Sequence, residues 1–378
     1  MNDGVINWDE EKVVFFFGAG ASKPEGGIIT NQLLEESFRQ FPRNNKVKMV
    51  KEYLSDIYHN NCEISNLPTF EEVLGPIDIA LQKQENMSPK WDVKKLSTLR
   101  DNLIYCICSV LYEKLQNPRG YHHDFVDNLL TMYPGRWNKC SFISLNYDIL
   151  LDNALTKLGD GGASNIDLNY GIRFRNEKHR RSGHQNDDTW SVPRVKNVPL
   201  LKLHGSLNWI YCPTCNSIKI TPKRKGIVDD IFKDSEPCDS PFCKDGASEQ
   251  KPIVVPPTFT KAYENPFLVS IWLQAEKVLQ NATRIYFIGY SMPEADIHIQ
   301  YLLKRSLFRQ NGIHPKIIII DKKNEHYSEN DNDENMDENV QENMASKAIH
   351  DRYKRLFGDV KYCPIGFEKF AGNLEQYL

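Results

Sequence analysis

Four thiols fall into two close pairs, Cys212-Pro-Thr-Cys215 and Cys238-Asp-Ser-Pro-Phe-Cys243, separated by a loop. That spacing lets four thiolates surround one Zn²⁺ tetrahedrally, and with no histidine or open position among them the site would be closed and structural. The second pair has four intervening residues where two are usual, and ordinary buried thiols are the alternative. A second signal is Gly18-Ala-Gly-Ala-Ser22, directly after the apolar run Val13-Val-Phe-Phe-Phe17. Glycines lacking Cβ let the backbone turn sharply and approach a pyrophosphate, whose charge is then met by N–H groups at the following helix. NAD or a relative is therefore the first ligand to consider. The third glycine of a full G-x-G-x-x-G is missing, so a tight strand-to-helix turn with no ligand stays open. Two further polar clusters end apolar runs: Asn146-Tyr-Asp148 after Cys140–Leu145, and His204-Gly-Ser206 after Pro199–Leu203. A histidine in such a place is often structural, and Asn-x-Asp is often a helix N-cap.

The elements that must position these groups alternate along the chain. After the first strand and turn, Thr30 is a plausible N-cap for a helix carrying Leu33, Leu34 and Phe38, and the pattern stays mostly helical to about Leu130. Helices are predicted over Val47–Tyr58, around Phe70–Leu81 and over Val93–Leu115, the last from Leu96, Leu99, Leu103, Ile107, Val110 and Leu111 at three- and four-residue steps. Strands follow at Cys140–Leu145, Pro199–Leu203, Arg284–Ile288 (opening into Gly289-Tyr-Ser291) and Lys316–Ile320, the last central strand, ending at Asp321. The stretch from Gly159 to about Pro199 reads as an irregular surface excursion with one strand between Asp167 and Phe174. Pro252–Pro257 returns toward the core, and helices are predicted over Asn265–Asn281, Ala295–Leu307 and Ala345–Phe357. Strands emptying into glycine or polar turns and then helices imply an α/β fold: a parallel Rossmann-like sheet covered on both faces, with ligands at the carboxyl ends of the strands.

At 378 residues and 40% hydrophobic, the chain can bury a substantial core. A net charge of -3 supplies no global basic field, which disfavours non-specific attraction to nucleic acid or an anionic membrane. Local contact remains open through Lys223-Arg-Lys225 or the stretch Arg173, Arg175, Lys178, Arg180 and Arg181, although short basic loops are usually solvated faces. The N-terminus does not read as a signal peptide and the apolar runs are far too short to span a bilayer, so a cytoplasmic location is expected. Nine cysteines are an odd number. Those outside the pairs, Cys62, Cys106, Cys108, Cys140 and Cys363, read as core residues or unpaired thiols.

Taken together, Gly18-Ala-Gly-Ala-Ser22, Asn146-Tyr-Asp148, Leu203-His-Gly-Ser206, the paired cysteines, Gly289-Tyr-Ser291 and a final strand ending in an acidic residue resemble the sirtuin superfamily, in that family's order and over residues 13–325. The resemblance implies a Rossmann-like NAD-binding domain over 1–30, 131–206 and 251–325, with a helical insertion over 31–130 and a zinc module over 207–250. Beyond these come a disordered acidic loop over 326–343 and a C-terminal helix and tail over 344–378. It further implies that Gly18, Ala19, Gly20 and Ser22 line the phosphate and adenine-ribose region with Gly289 and Ser291. Asp321 and Asn324 would contact the adenosine, Asn146 and Asp148 would sit at the nicotinamide ribose and carboxamide, and His204 would be the catalytic histidine. Breaking the bond to nicotinamide builds positive charge on the sugar. Asn146 can hold a water or hydroxyl, His204 can accept a proton near neutral pH, and Asp148 can orient nicotinamide or stabilise the cation.

Three departures bear on the reaction. Protein deacylases of the family have Gly-Ile-Pro-x-Phe-Arg where this chain has Gly26-Gly-Ile-Ile-Thr-Asn-Gln-Leu-Leu34, and a Phe-Gly-Glu-type strand where it has Val255-Pro-Pro-Thr258. Prolines make pairing with a peptide harder there. The step from Asp148 to His204 is also longer. These features resemble divergent bacterial sirtuin-like NAD hydrolases of antiphage defence, which implies a regulated, oligomeric NADase. Such chains are similar to those paired with a HerA-like ATPase or a short Argonaute-like protein. A deacylase and a non-catalytic NAD or ADP-ribose sensor are the alternatives.

Overall fold

The computed structural model describes residues 11–28, 32–58, 67–132, 134, 136–160, 167–179, 190–192, 197–220, 238, 240–243, 251–254, 265–294, 296–308, 314–324 and 338–378. Its centre is β1 (Val13–Phe17), five consecutive apolar residues, all buried. A strand with helices on both faces has no polar side to show, which is why the run is unbroken rather than alternating. On one side β1 pairs in parallel with β2 (Cys140–Ser144), then β6 (Asn197–Lys202) and β3 (Asp167–Asn169). On the other lie β10 (Arg284–Ile288), β11 (Lys316–Ile320) and β12 (Lys361–Cys363). Phe15 stacks on Phe142 of β2 and Tyr286 of β10, at 5.5 and 5.3 Å between ring centroids, so the three central strands share one aromatic layer.

The register levels the strand ends. Phe17 is opposite Ser144 and Ile288, Ser144 is opposite Lys202, and Ile288 is opposite Ile320. The glycine turn, Asn146, His204, Gly289 and Asp321 therefore all leave the same edge of the sheet. Beyond β1 the chain builds outward one way through β2 and β6, and the other way through β10 to β12. An open parallel sheet forms a crevice beside such a reversal.

Helices α1 (Leu33–Gln40), α2 (Asn45–Tyr58), α3 (Phe70–Lys83) and α4 (Val93–Lys114) build a second core that includes Tyr53, Trp91 and all six of the periodic residues on α4. Thr69 and Glu72 form a capping box on α3, and Asp92 caps α4. Helix α1 starts later than read, with Gln32 in the N-cap position and no side-chain cap, and Thr30 lies outside the described residues. Helices α5 (Tyr121–Met132), α6 (Leu150–Asp160), α7 (Pro266–Gln280) and α8 (Ile297–Phe308) follow, the last two close to their predicted positions.

Several expectations need correction. The excursion after Gly159 is not wholly irregular, because β4 (Glu177–His179) and β5 (Trp190–Val192) pair there in parallel. The chain after His204 forms β7 (Gly205–Cys212), which with β8 (Ser217–Ile220) and β9 (Lys251–Val254) makes an antiparallel sheet, so the return strand belongs to this sheet and not the large one. Helix α9 (Glu338–Phe357) begins inside the segment read as a disordered loop. The rest of that segment, 326–337, lies outside the described residues. Finally, β11 is not the last strand: β12 extends the sheet, and α10 (Phe367–Gly372) packs on α5.

Candidate functional site

A cavity of about 880 Å³ opens at the carboxyl ends of the strands. Ala19, Gly20, Ser22, Asn146, Asp148, His204, Gly289, Ser291 and Asp321 all line it. Two predicted residues do not. Gly18 lies behind the wall, where a Cβ would come within 2.7 Å of the Gly289 carbonyl oxygen and the Tyr290 Cα. Asn324 is turned to α9, its Nδ2 donating to Asn343 Oδ1 (3.0 Å) and Ser346 Oγ (3.2 Å).

The glycine turn is one turn of 3-10 helix, Ala19–Ala21, rather than the start of a long helix. Its amides are largely occupied. Gly18 N donates to Ile288 O, Gly20 N to Gly289 O, Ala21 N to Gly18 O and Ser22 N to Ala19 O. These amides are therefore not open to an anion as the sequence led one to expect, because closing the 3-10 turn and docking it on the end of β10 uses them. The docking is close: Gly289 has φ +62°, and a Cβ on it would lie 2.2 Å from Ala21 N.

Asn146, Ser22 and Asp148 form one buried hydrogen-bonded chain. Asn146 Nδ2 donates to Gly18 O and Ser22 Oγ (both 3.0 Å), and Ser22 Oγ donates to Asp148 Oδ2 at 2.7 Å. Asp148 Oδ1 accepts from Leu150 N at 3.1 Å, so the helix-capping role left open by the sequence is real and accompanies, rather than replaces, a place in the cavity. Beneath this loop, Lys202 Nζ donates to the Asp148 carbonyl oxygen and, at 3.0 Å, to Asp152 Oδ2. Tyr170 Oη donates to Asp152 Oδ1 at 2.6 Å.

His204 stands between two sheets. Leu203 N donates to Ser144 O on one side, Leu207 N to Tyr147 O on the other, and Trp272 Nε1 of α7 holds the Leu203 carbonyl at 2.9 Å. Gly205 turns the chain with φ +83°, in a position where a Cβ would meet Ile253 O at 2.0 Å. The His204 ring lies 6.3 Å from that of Tyr147. At the other end of the cavity Asp321 accepts from Tyr362 Oη of β12, and the Ser291 carbonyl accepts from Arg352 Nε of α9.

Sequence reasoning missed much of the cavity's charge. Lys23, Arg119, Lys322 and Lys323 also line it, as do Phe367 and Glu368 of α10. Lys322-Lys323, directly after Asp321, was the one legible signal.

The four paired cysteines converge, with all sulfurs within 4.8 Å of one another. Cys212 to Cys243 and Cys215 to Cys238 are each 3.7 Å apart. A tetrahedron of thiolates about 2.3 Å from zinc has edges of about 3.8 Å, so these residues could hold the metal. Burial alone would raise the Cys215 thiol, but hydrogen bonds from Ser217, Ser240 and the neighbouring cysteines pull it down to about 6. Arg175 is drawn into this module, donating from Nη1 to Cys238 Sγ and from its backbone to Ile218 O, so it is not part of a solvated basic face. Arg180, Arg181 and Lys223–Lys225 lie outside the described residues, as does Cys62, whereas Cys106, Cys108, Cys140 and Cys363 are buried as read. Among the described residues no helix is long and apolar enough to cross a membrane.

A parallel sheet carrying this cavity, with a four-cysteine cluster beside it, matches the SIR2-like domain over residues 141–347. The chain belongs to that family. Solved structures similar to it include one from work on sirtuin substrate affinity, at 14% identity and a TM-score of 0.40 over 98% of this chain and 95% of that one. Another, from work on the mechanism and regulation of Sir2 enzymes, has 12% identity and a TM-score of 0.41 over 98% and 93%. A Sir2 with p53 peptide and NAD+ has 13% and 0.39 over 98% and 94%. No curated protein matches the chain.

Proposed function

We propose that the chain is a sirtuin-like NAD glycohydrolase that releases nicotinamide and ADP-ribose. The observation carrying this reading is that Ala19, Gly20 and Ser22 of the glycine turn, with Asn146, Asp148 and His204, face one cavity large enough for a dinucleotide. Breaking the C1′–N bond sends its electron pair to the pyridinium, which leaves as neutral nicotinamide while the ribose becomes cationic. The Asp148 carboxylate, fixed by Ser22 and the Leu150 amide, stabilises that charge. With Nδ2 committed to Gly18 and Ser22, Asn146 has Oδ1 to offer to a water. That water bonds to C1′, and its proton passes to His204 and then to solvent.

Water is favoured over an acyl-lysine oxygen as the nucleophile. Tyr147, which flanks His204, packs with Leu207 and Val254 into the core of the helical insertion, so an aromatic ring anchored in that core walls the histidine on that side. Val255–Thr258, where deacylases pair with peptide, lies outside the described residues. Zinc, held by Cys212, Cys215, Cys238 and Cys243, would organise the β7–β9 sheet and take no part in the bond changes. A role as a regulated antiphage effector that depletes NAD, oligomeric or paired in the cytoplasm with a HerA-like ATPase or short Argonaute-like protein, completes the proposal and rests on the family resemblance.

The test incubates the protein with NAD, with and without an acetylated peptide and a candidate partner, and follows products by chromatography. Hydrolysis yields free ADP-ribose without peptide. His204→Ala and Asn146→Ala should each lower turnover by roughly 10²–10⁴-fold in folded protein. Peptide-dependent nicotinamide release would select the deacylase, and binding without turnover the sensor.

A further inference from the structure

We infer that Arg119 binds the diphosphate of the nucleotide in this cavity, and that Glu25 with His122 is the positioning pair that holds it there; the inference rests on the nucleotide reading above. The need for a cation follows from the turn. Four of its amides, those of Gly18, Gly20, Ala21 and Ser22, are already bonded within the protein, so side chains must meet much of a diphosphate's charge. Among the cavity's cations, Arg119 is the one whose guanidinium can chelate phosphate oxygens bidentately. It is solvent-exposed, at the entry to α5, and so open to a ligand.

Its backbone is bolted to the glycine turn from 95 residues away. Glu25, three residues past Ser22, turns inward and accepts three hydrogen bonds: from Gly120 N and His122 N (2.8 Å each) and from His122 Nδ1 (2.9 Å). Both side chains are almost wholly buried, at 1% and 3% exposure. Burial by itself would raise the Glu25 carboxyl, but these donors outweigh it and hold it below its ordinary value, so it is ionised at neutral pH. The carboxylate thereby caps α5 from outside that helix. On its other side the His122 ring packs 4.8 Å from Phe367, which itself lines the cavity, and 5.9 Å from Phe17 at the end of β1. The pair thus fixes the segment Lys23–Gly27, the entry to α5 and the start of α10 against one another. An apolar contact could join these segments without a desolvation cost. What a carboxylate with three donors adds is a fixed backbone position on either side of Arg119.

The experiment is calorimetric titration with ADP-ribose and, separately, with adenosine, which lacks the phosphates, alongside steady-state hydrolysis of NAD. Arg119→Gln should weaken ADP-ribose about tenfold, close to 1.4 kcal/mol, and leave adenosine within about twofold; KM for NAD should rise by a similar factor with kcat nearly unchanged. Glu25→Gln should weaken ADP-ribose in the same sense, and the double variant should be no weaker than Arg119→Gln alone, because one residue acts through the other. Should Glu25→Gln not fold, His122→Asn, which keeps a donor near Nδ1, should bind ADP-ribose as wild type does while His122→Leu binds it more weakly. The inference is overturned if Arg119→Gln leaves ADP-ribose binding intact, if it weakens adenosine equally, or if the Glu25 and Arg119 penalties multiply. Wild-type protein that binds neither NAD nor ADP-ribose overturns the nucleotide reading itself, whereas wild-type hydrolysis with a silent Arg119→Gln overturns only this inference.

Discussion

Replacing Lys202 with Met separates what holds the fold from what positions the site. The ammonium and the Asp152 carboxylate are 3.0 Å apart, with side chains 1% and 3% exposed, so water screens neither. At an effective dielectric of 20 their attraction is about 5.5 kcal/mol, most of it needed to offset desolvation. Lys202→Met leaves Asp152 as a buried anion with only the Tyr170 hydroxyl in support, and should cost about 3–5 kcal/mol. That corresponds to roughly 4–6 °C in thermal midpoint for a chain of this size. Replacing all three polar partners, Lys202→Met with Asp152→Leu and Tyr170→Phe, removes the stranded charge and should recover part of the loss. The Asp148 carbonyl then lacks its donor and Asn208 its bond to the Tyr170 hydroxyl, at about 1–3 kcal/mol each. Activity should not recover with stability, because that carbonyl belongs to Asp148, the residue proposed to stand beside the reacting ribose. The assay is thermal unfolding of both variants with NAD hydrolysis at a temperature where each is folded. A single variant destabilised by less than about 1 kcal/mol, or a triple variant with full turnover, would refute the reasoning.

Other perturbations test separate parts of the molecule. Gly289→Ala puts a Cβ 2.2 Å from Ala21 N at a φ of +62°, and should cost roughly 2–5 kcal/mol and abolish ADP-ribose binding, read by thermal shift with and without ligand. Acid should destabilise the fold through two carboxylates. Arg39 chiefly, with Lys114 and Gln40, outweighs burial to hold Glu36 at about 2, and the donors on Glu25 hold it low as well. Both pKa values lie below the unfolded value, so the stabilisation is present above the ordinary glutamate range and is lost as pH falls through the folded pKa values. Thermal midpoints should drop between about pH 4.5 and 2, and Glu36→Gln should flatten that drop. Metal analysis of fully reduced protein should find one zinc per chain, and Cys238→Ala should abolish it.

The parts of the molecule written in consecutive residues were legible. β1, β10 and β11 are five-residue strands, apolar but for the Arg284 and Lys316 that open the last two, followed by glycine or aspartate, and period-four leucines mark α4. The cysteine cluster was legible because ligand spacing is local, and two close pairs of thiols can converge on one point. β12 was not: it has three residues, begins with an exposed lysine, and becomes a strand only because β11 offers an edge. The start of α9 was hidden by an acidic, asparagine-rich composition that carries no apolar period. The candidate site divides the same way. Asn146, Asp148 and His204 follow strands and could be placed by the ends of those strands, whereas Glu25 and His122 meet across 97 positions through no shared pattern. Arg119 was equally invisible, since an arginine between Pro118 and Gly120 reads as a solvated turn until the fold brings that turn to the cavity.

With His204 in the role proposed above, its placement would make the cysteine module matter to chemistry without a bound metal touching substrate. The histidine sits in the two-residue step between β6 of the large sheet and β7 of the small one. The imidazole can be held still only if both sheets are. The large sheet fixes one side through the Leu203 amide and Trp272. On the other, Gly205 is wedged against the Ile253 carbonyl of β9, and β7 runs on to end at Cys212, itself one of the four thiols. The three strands are buried through Trp209, Ile218, Ile220 and Ile253 in the core of the large sheet and through Leu207 and Val254 in that of the helical insertion, and zinc at the four thiols would tie the far end of β7. Losing that tie would loosen β7 and β9, ease the wedge at Gly205 and let His204 drift. Slow chelation should therefore lower turnover in step with loss of the small sheet while ADP-ribose still binds to the glycine turn and the ends of β10 and β11. Turnover that persists after the metal has gone and the small sheet has melted would disconnect the histidine from the module.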